Sequence, residues 1–205
     1  GIAEVLVENG KQMLLLSSAL DSAEQSSAES LPDGFILYGA LQGNSFKQIK
    51  RLGKPIVKVD YQSGSTHSVN IDNEAAAFII AQHAFKAQKQ SVAILGLRLV
   101  DSDRVCRLTP QDLLTESQDV AHSRLKGYLR AAKEADINVV ASQIWHVPIN
   151  NAETAEVAVR EVLGLSEIPK VILCMSDVIA LAAIRVTKEL GIKVPEELHI
   201  TGFDD

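Results

Sequence analysis

The sequence predicts an α/β protein of two lobes, with parallel sheets flanked by helices. Three observations carry that expectation. Apolar runs of strand length alternate with amphipathic helical stretches along the chain, the order of βα units. The runs are continuously apolar and rich in Val, Ile and Leu, as strands covered on both faces are. Several of them end in a polar residue, where open α/β sheets place their ligands. The chain has 205 residues and is 46% apolar, enough for one large domain or two small lobes.

Taken in order, IAEVLVENG (2–10) reads as a helix and QMLLLSS (12–18) as a strand. The Ser/Ala/Glu-rich stretch 17–30 reads as a loop or a short helix. DGFILYG (33–39) is a second strand, opened by the Pro32-Asp33-Gly34 turn signal. A short helix, SFKQIKRLG, precedes a third strand, KPIVKVD (54–60). HSVNID (67–72) is extended and leads into the helix NEAAAFIIAQHAFKAQ, where Ala76, Ile79, Ile80 and Ala84 recur at helical spacing. SVAILGL (91–97) is a buried strand, and the lobe change is expected just before it, dividing 1–89 from 90–205. Residues 98–120 are charged and aperiodic, with Arg98, Asp101, Asp103, Arg104 and Arg107. They read as a solvated loop, with a phosphate-binding flap as the sharper alternative. The rest alternates cleanly: helix HSRLKGYLRAAKEA, strand NVVASQIWHV, helix NAETAEVAVREVLGL, strand PKVILCM, helix DVIALAAIRVTKELG and strand ELHITGF.

Composition narrows the function. A net charge of −6 with scattered Lys and Arg argues against nucleic-acid or anionic-membrane binding by this segment. Cys106 and Cys174 stand far apart with no CxxC, so free thiols in a reducing cytoplasm are expected rather than a disulfide framework or zinc site. No apolar run reaches membrane-spanning length. The five histidines are dispersed, without HExxH or other metal spacing, and no GxSxG, P-loop or GxGxxG follows a strand. Neither catalysis nor a cofactor is expected. Trp145, the single tryptophan, reads as core.

The polar strand ends supply the candidate site. Tyr38 ends GFIL, Asp60 ends KPIVKVD, Asp177 follows VILCMS, and Asp204 and Asp205 follow ELHITGF. Carboxylates there accept hydrogen bonds from hydroxyl groups. The competing role is capping: Ser176 or Asp177 suits the N-cap of the helix that follows.

SDVIALAAIRVTKELGIKVPEELHITGFDD (176–205) resembles the C-terminal lobe of LacI/GalR-type transcription regulators. VNIDNEAAAFIIAQHAFKAQKQSVAIL (69–95) is similar to the family's Asp-Asn-start helix, SRLKGYLRAAKEADI (123–137) to its Arg-x-x-Gly-Tyr helix, and DGFIL (33–37) to its Asp-Gly-Ile-Ile strand. The resemblance implies a two-lobed fold like that of periplasmic binding proteins. It implies a small effector, such as a sugar, sugar phosphate or purine, held between the lobes. It also implies a homodimer that grips operator DNA through an N-terminal helix-turn-helix absent from this sequence. It makes GFDD an interior motif, so the chain is expected to be a piece of a longer one. By the same resemblance Arg124 grips the effector, Asp204 binds a hydroxyl or ring, and Ser176 and Asp177 occupy an Asn-Asp position, with serine in place of asparagine. Asp60 and Tyr38 face the cleft from the first lobe, and Asn150 falls near a position that is often aromatic. Gln88-Lys89 replaces the usual Gly-His. Apolar residues of 1–10 (Ile2, Val5, Leu6) and 73–87 (Ala75, Phe78, Ile79) are candidates either for the dimer contact or for core. A transport-type sugar-binding protein and a sugar-acting enzyme share the fold expectation and stay as alternatives.

Overall fold

A computed structural model describes residues 1–15, 32–38, 44–60, 66–87, 91–115, 117 and 119–204. The chain forms two compact units, Gly1–Asn70 and Ile71–Asp205.

The first unit holds helix α1 (Ile2–Glu8), strand β1 (Phe35–Tyr38), helix α2 (Asn44–Arg51), and strands β2 (Ile56–Val59) and β3 (His67–Val69). The strands form a parallel sheet in the order β1-β2-β3, with Tyr38 paired to Val59 and Val59 to Val69. Helix α1 buries no residue, and Ile2 and Val5 are exposed. Residues 12–15, the first part of the strand expected at 12–18, lie in no strand and are exposed. The rest of that run, the 17–30 stretch, Gln88-Lys89 and Asp205 lie outside the described residues.

The second unit contains α3 (Asn73–Ala87), β4 (Val92–Leu97), β5 (Cys106–Arg107), α4 (Val120–Glu134), β6 (Ile144–Val147), α5 (Ala152–Leu163), β7 (Val171–Cys174), α6 (Asp177–Glu189) and β8 (His199–Thr201). Its sheet runs β5-β6-β4-β7-β8, with β5 antiparallel to β6 and every other neighbour parallel. Successive strand residues point to opposite faces, and the core divides accordingly. Val92 and Ile94 of β4 and Val171 and Leu173 of β7 pack with Ala77, Ala81 and Phe85 of α3 and Leu125 and Tyr128 of α4. Ala93, Leu95, Ile172 and Cys174 pack on the other side with Ala155 and Val159 of α5 and Ile179 and Ala183 of α6. Both faces are covered, which is why the strands read as unbroken apolar runs.

Three further expectations differ from what is found. The compact units divide at Asn70, before α3 and not after it. The cause is the seam between α3 and α4: a Cβ on Gly127 would lie 2.9 Å from both Ala77 Cβ and Phe78 N, and closer still to Glu74 O. Only glycine lets the two helices come that near. Residues 98–120 are no simple solvated loop. They contribute β5 at the sheet edge and bury Leu99 and Leu108. Buried His146 of β6 pins the segment, accepting from Val100 N at Nδ1 (3.2 Å) and donating from Nε2 to Ser102 O (2.9 Å). Finally, β6 is shorter than NVVASQIWHV. Ala141–Gln143 is a 3₁₀ turn, where the Gln143 side chain accepts from Val140 N (2.9 Å) and donates to Val92 O (3.2 Å) in place of ladder bonds.

Candidate functional site

Four parallel strands of the second unit end at one edge, and the polar residues just past them build the site. Arg124 reaches that edge from the second turn of α4. The helix is started by Asp119, whose carboxylate accepts from His122 N at 2.8 Å. Burial pushes the Asp119 carboxyl up, but bonds from His122 N, the Ser117 hydroxyl and the His122 ring outweigh it and hold it below the usual range. A cation near a helix start opposes the helix dipole, so the guanidinium must find its partners elsewhere.

It finds them on three other segments. Arg124 is buried; Nε donates to Asn73 Oδ1 (2.9 Å), Nη1 to Met175 O (2.5 Å) and Nη2 to Asp204 Oδ1 (2.8 Å). The guanidinium also stacks 3.6 Å over the Phe203 ring, a cation–π contact. The fork thus ties the start of α3, the end of β7 and the segment after β8 to α4. Below it, Tyr128 is fully buried and donates to Cys174 O at 3.1 Å. Burial, more than the nearby charges, pushes both the Tyr128 hydroxyl and the Cys174 thiol up. Both groups are therefore held in their protonated forms near neutral pH.

Asp177 opens α6, and its N–H donates to Phe203 O at 2.9 Å. A Cβ on Gly202 would overlap the Asp177 carboxylate. The glycine of the GFD sequence is therefore what lets this carboxylate lie against the end of β8. Asp204 carries a φ of 116°, a strained conformation for a non-glycine residue and of a kind that collects at functional sites.

Ser176 is the N-cap of α6, accepting from Ile179 N at 3.3 Å, and its hydroxyl donates to Asn150 Oδ1 at 2.6 Å. The capping alternative weighed from the sequence is the one the chain adopts for this residue, which is 1% exposed. Asn150 is exposed, past the end of β6. Arg98 follows β4 with a φ of 54° and donates from Nε to Pro148 O (3.4 Å), and Arg107 lies 4.9 Å over the Trp145 ring. Trp145 is buried as expected, its Nε1 donating to Glu161 Oε2 (3.1 Å).

The remaining candidates belong to the first unit. Tyr38 is 79% exposed at the end of β1, and Asp60 follows β2 with a φ of 56°, its N–H donating to Val69 O (3.1 Å). They share the carboxyl edge of that sheet. Sequence reasoning passed over Asn73, Phe203 and the Met175 carbonyl. Asn73 had a signal, standing at the start of a helix in NIDNEAA; the other two are known only from contacts across the sheet. Among the described residues no group of three His, Cys, Asp or Glu side chains is placed to hold a metal ion.

The polar groups lie where open α/β sheets hold ligands, beyond the carboxyl ends of the strands. Comparison with known proteins shows what this fold is similar to. Residues 107–205 match the periplasmic binding protein-like domain. An HTH-type transcriptional regulator of Mycolicibacterium smegmatis is 25% identical over 220 aligned residues, covering 100% of this chain and 59% of that protein. The Escherichia coli K12 HTH-type transcriptional repressor CytR is 30% identical over 138 residues, 67% of this chain and 35% of the repressor. The chain thus spans less than two thirds of the length of these relatives. In fold it resembles a LacI-family transcriptional regulator from Corynebacterium glutamicum, with a TM-score of 0.81 over 99% of this chain and 63% of that one at 24% identity. It also resembles an E. coli sugar-binding regulator of the LacI family solved with phosphate, with a TM-score of 0.65 over 84% of this chain and 57% of the other, at 21% identity. The chain is therefore similar over residues 107–205 to the periplasmic binding protein-like domain, and its fold is that of LacI-family regulators.

Proposed function

We propose that this chain senses a small polar effector, sugar-like, sugar phosphate or purine-like, as part of a cytoplasmic transcriptional regulator. The observation that carries the reading is the Arg124 fork, a buried guanidinium bonded to Asn73, Met175 and Asp204 at the carboxyl edge of the sheet. Asp204 keeps a second carboxylate oxygen for a hydroxyl or ring nitrogen, and the Phe203–Arg124 stack gives the site a rigid floor. Tyr38 and Asp60 are proposed as the first unit's ligand contacts. Asp177 and Asn150 complete the polar set.

Binding without turnover is the reading, because the relatives are named regulators and repressors. In the whole protein the effector shifts a balance between two states, and it does so only by its difference in affinity for them. A coupling of about 1–3 kcal/mol is ordinary for such a switch. Operator binding is assigned to an N-terminal helix-turn-helix and dimerisation to a second copy. The exposed Ile2 and Val5 on α1 and Ile79 on α3 support the latter. A thermal-shift panel of D-ribose, D-glucose, D-galactose, ribose 5-phosphate, adenine and guanine is expected to give at least one binder. Arg124→Ala is expected to abolish that shift while Arg98→Ala spares it. An unchanged affinity in Arg124→Ala would place the effector elsewhere.

A further inference from the structure

At the carboxyl edge of the sheet, Ser176 and Asn150 touch and have unequal parts. Ser176 Oγ has its one proton and one acceptor site committed: it accepts from Ile179 N (3.3 Å), donates to Asn150 Oδ1 (2.6 Å) and is closed to solvent. A hydroxyl so engaged has little left to offer a ligand. Asn150 is the reverse. Its oxygen is taken, it is exposed, and its amide nitrogen donates no hydrogen bond among the described residues. The amide faces Ser176 with its oxygen, at 2.6 Å from Oγ.

We propose that Asn150 is the amide donor that reads the effector, and that Ser176 is the positioning residue that fixes its orientation. The geometry spans the sheet. Asn150 follows β6 and Ser176 follows β7, and β4 lies between those strands, so the bond closes over the end of β4. Ser176 directly follows Met175, whose carbonyl oxygen accepts from Arg124. One polar chain therefore runs from Asn150 through Ser176 and the Met175 carbonyl to Arg124 and Asp204. Arg124 and Asp204 are already paired to one another, so Asn150 is the member of this chain with both N–H groups uncommitted. A ligand group meeting it must accept: a ring or hydroxyl oxygen, a carbonyl, or an unprotonated ring nitrogen. The inference rests on the effector reading above.

The test separates capping from positioning. Ser176→Thr keeps both functions. Ser176→Asp keeps a cap acceptor for Ile179 N but has no proton for Asn150 Oδ1, so the amide turns and presents its oxygen outward. Ser176→Ala loses both. Side-chain 15N relaxation of Asn150 in the full, ligand-free chain is expected to show an ordered NH₂ in the wild type and Ser176→Thr and a mobile one in Ser176→Ala. In Ser176→Asp it should be ordered but shifted in frequency. With whichever compound of the panel binds, Asn150→Ala and Ser176→Asp should each weaken affinity about tenfold, the scale of one well-made hydrogen bond. The double variant should also lose about tenfold, not a hundredfold, because the serine acts through the asparagine. Independent losses that multiply, or an Asn150 amide as ordered in Ser176→Ala as in the wild type, overturn the proposal. If no compound of the panel binds, the effector reading falls and takes the donor role with it, and the relaxation result still decides whether Ser176 positions Asn150.

Discussion

Asp119 shows how one side chain at a helix start supports a site it does not touch. It caps the helix that delivers Arg124, and its carboxylate is charged and triply bonded in the folded chain. Bonding outweighs burial there and lowers its pKa below the ordinary value of 3.8. The sign of the pH effect follows. A carboxyl whose folded value is depressed contributes stability that is fully present above its unfolded value and is lost as pH falls through the folded one. Melting temperature is therefore expected to drop more steeply below about pH 4 in the wild type than in Asp119→Asn. Parallel curves for the two proteins would mean that the carboxylate charge contributes nothing. Ser176 makes the complementary point. Its identity suits either a cap or a ligand contact, and only its distance to Asn150 shows that it serves another residue.

Helices α3 and α4 form the closest seam of the second unit, lined by Ala77, Ala81 and Ala84 on one side and Gly127, Ala131 and Ala132 on the other. The same approach brings Asn73, at the start of α3, within 2.9 Å of Arg124 Nε. Packing and site geometry are thus one property of this helix pair. Gly127→Ala drives a methyl group into Glu74 O and Phe78 N, backbone atoms that cannot rotate away. Overpacking of this kind costs about 1–3 kcal/mol, and a fall of that size in chemical denaturation is expected, with weaker effector binding as Asn73 moves off Arg124. An unchanged denaturation midpoint would show that the helices slide apart freely. The segment 98–120 carries the same lesson for strands: its charged residues hide a two-residue edge strand whose anchor, His146, lies some 40 residues further on.

At the scale of the whole molecule, both apolar clusters lie within residues 77–203, so the second unit has a complete core of its own. The fragment 71–205 is expected to melt cooperatively on its own, followed by circular dichroism. A broad, non-cooperative melt would show that its stability depends on the first seventy residues. Most of this architecture could be read in advance, because unbroken apolar strands, helical spacing and capping residues are local consequences of burial and backbone bonding. The site was legible in part for the same reason: Arg124, Asp177 and Asp204 stand beside recognisable helix starts and strand ends. What the chain alone determined is the alternation of elements and the polar character of their tips. What only the tertiary structure decided is which tips meet. The division at Asn70, the partners Asn73 and Phe203, and the passing of Ser176's hydroxyl to Asn150 all depend on contacts between residues 26 to 80 positions apart or on a close helix approach, and no local propensity encodes those distances.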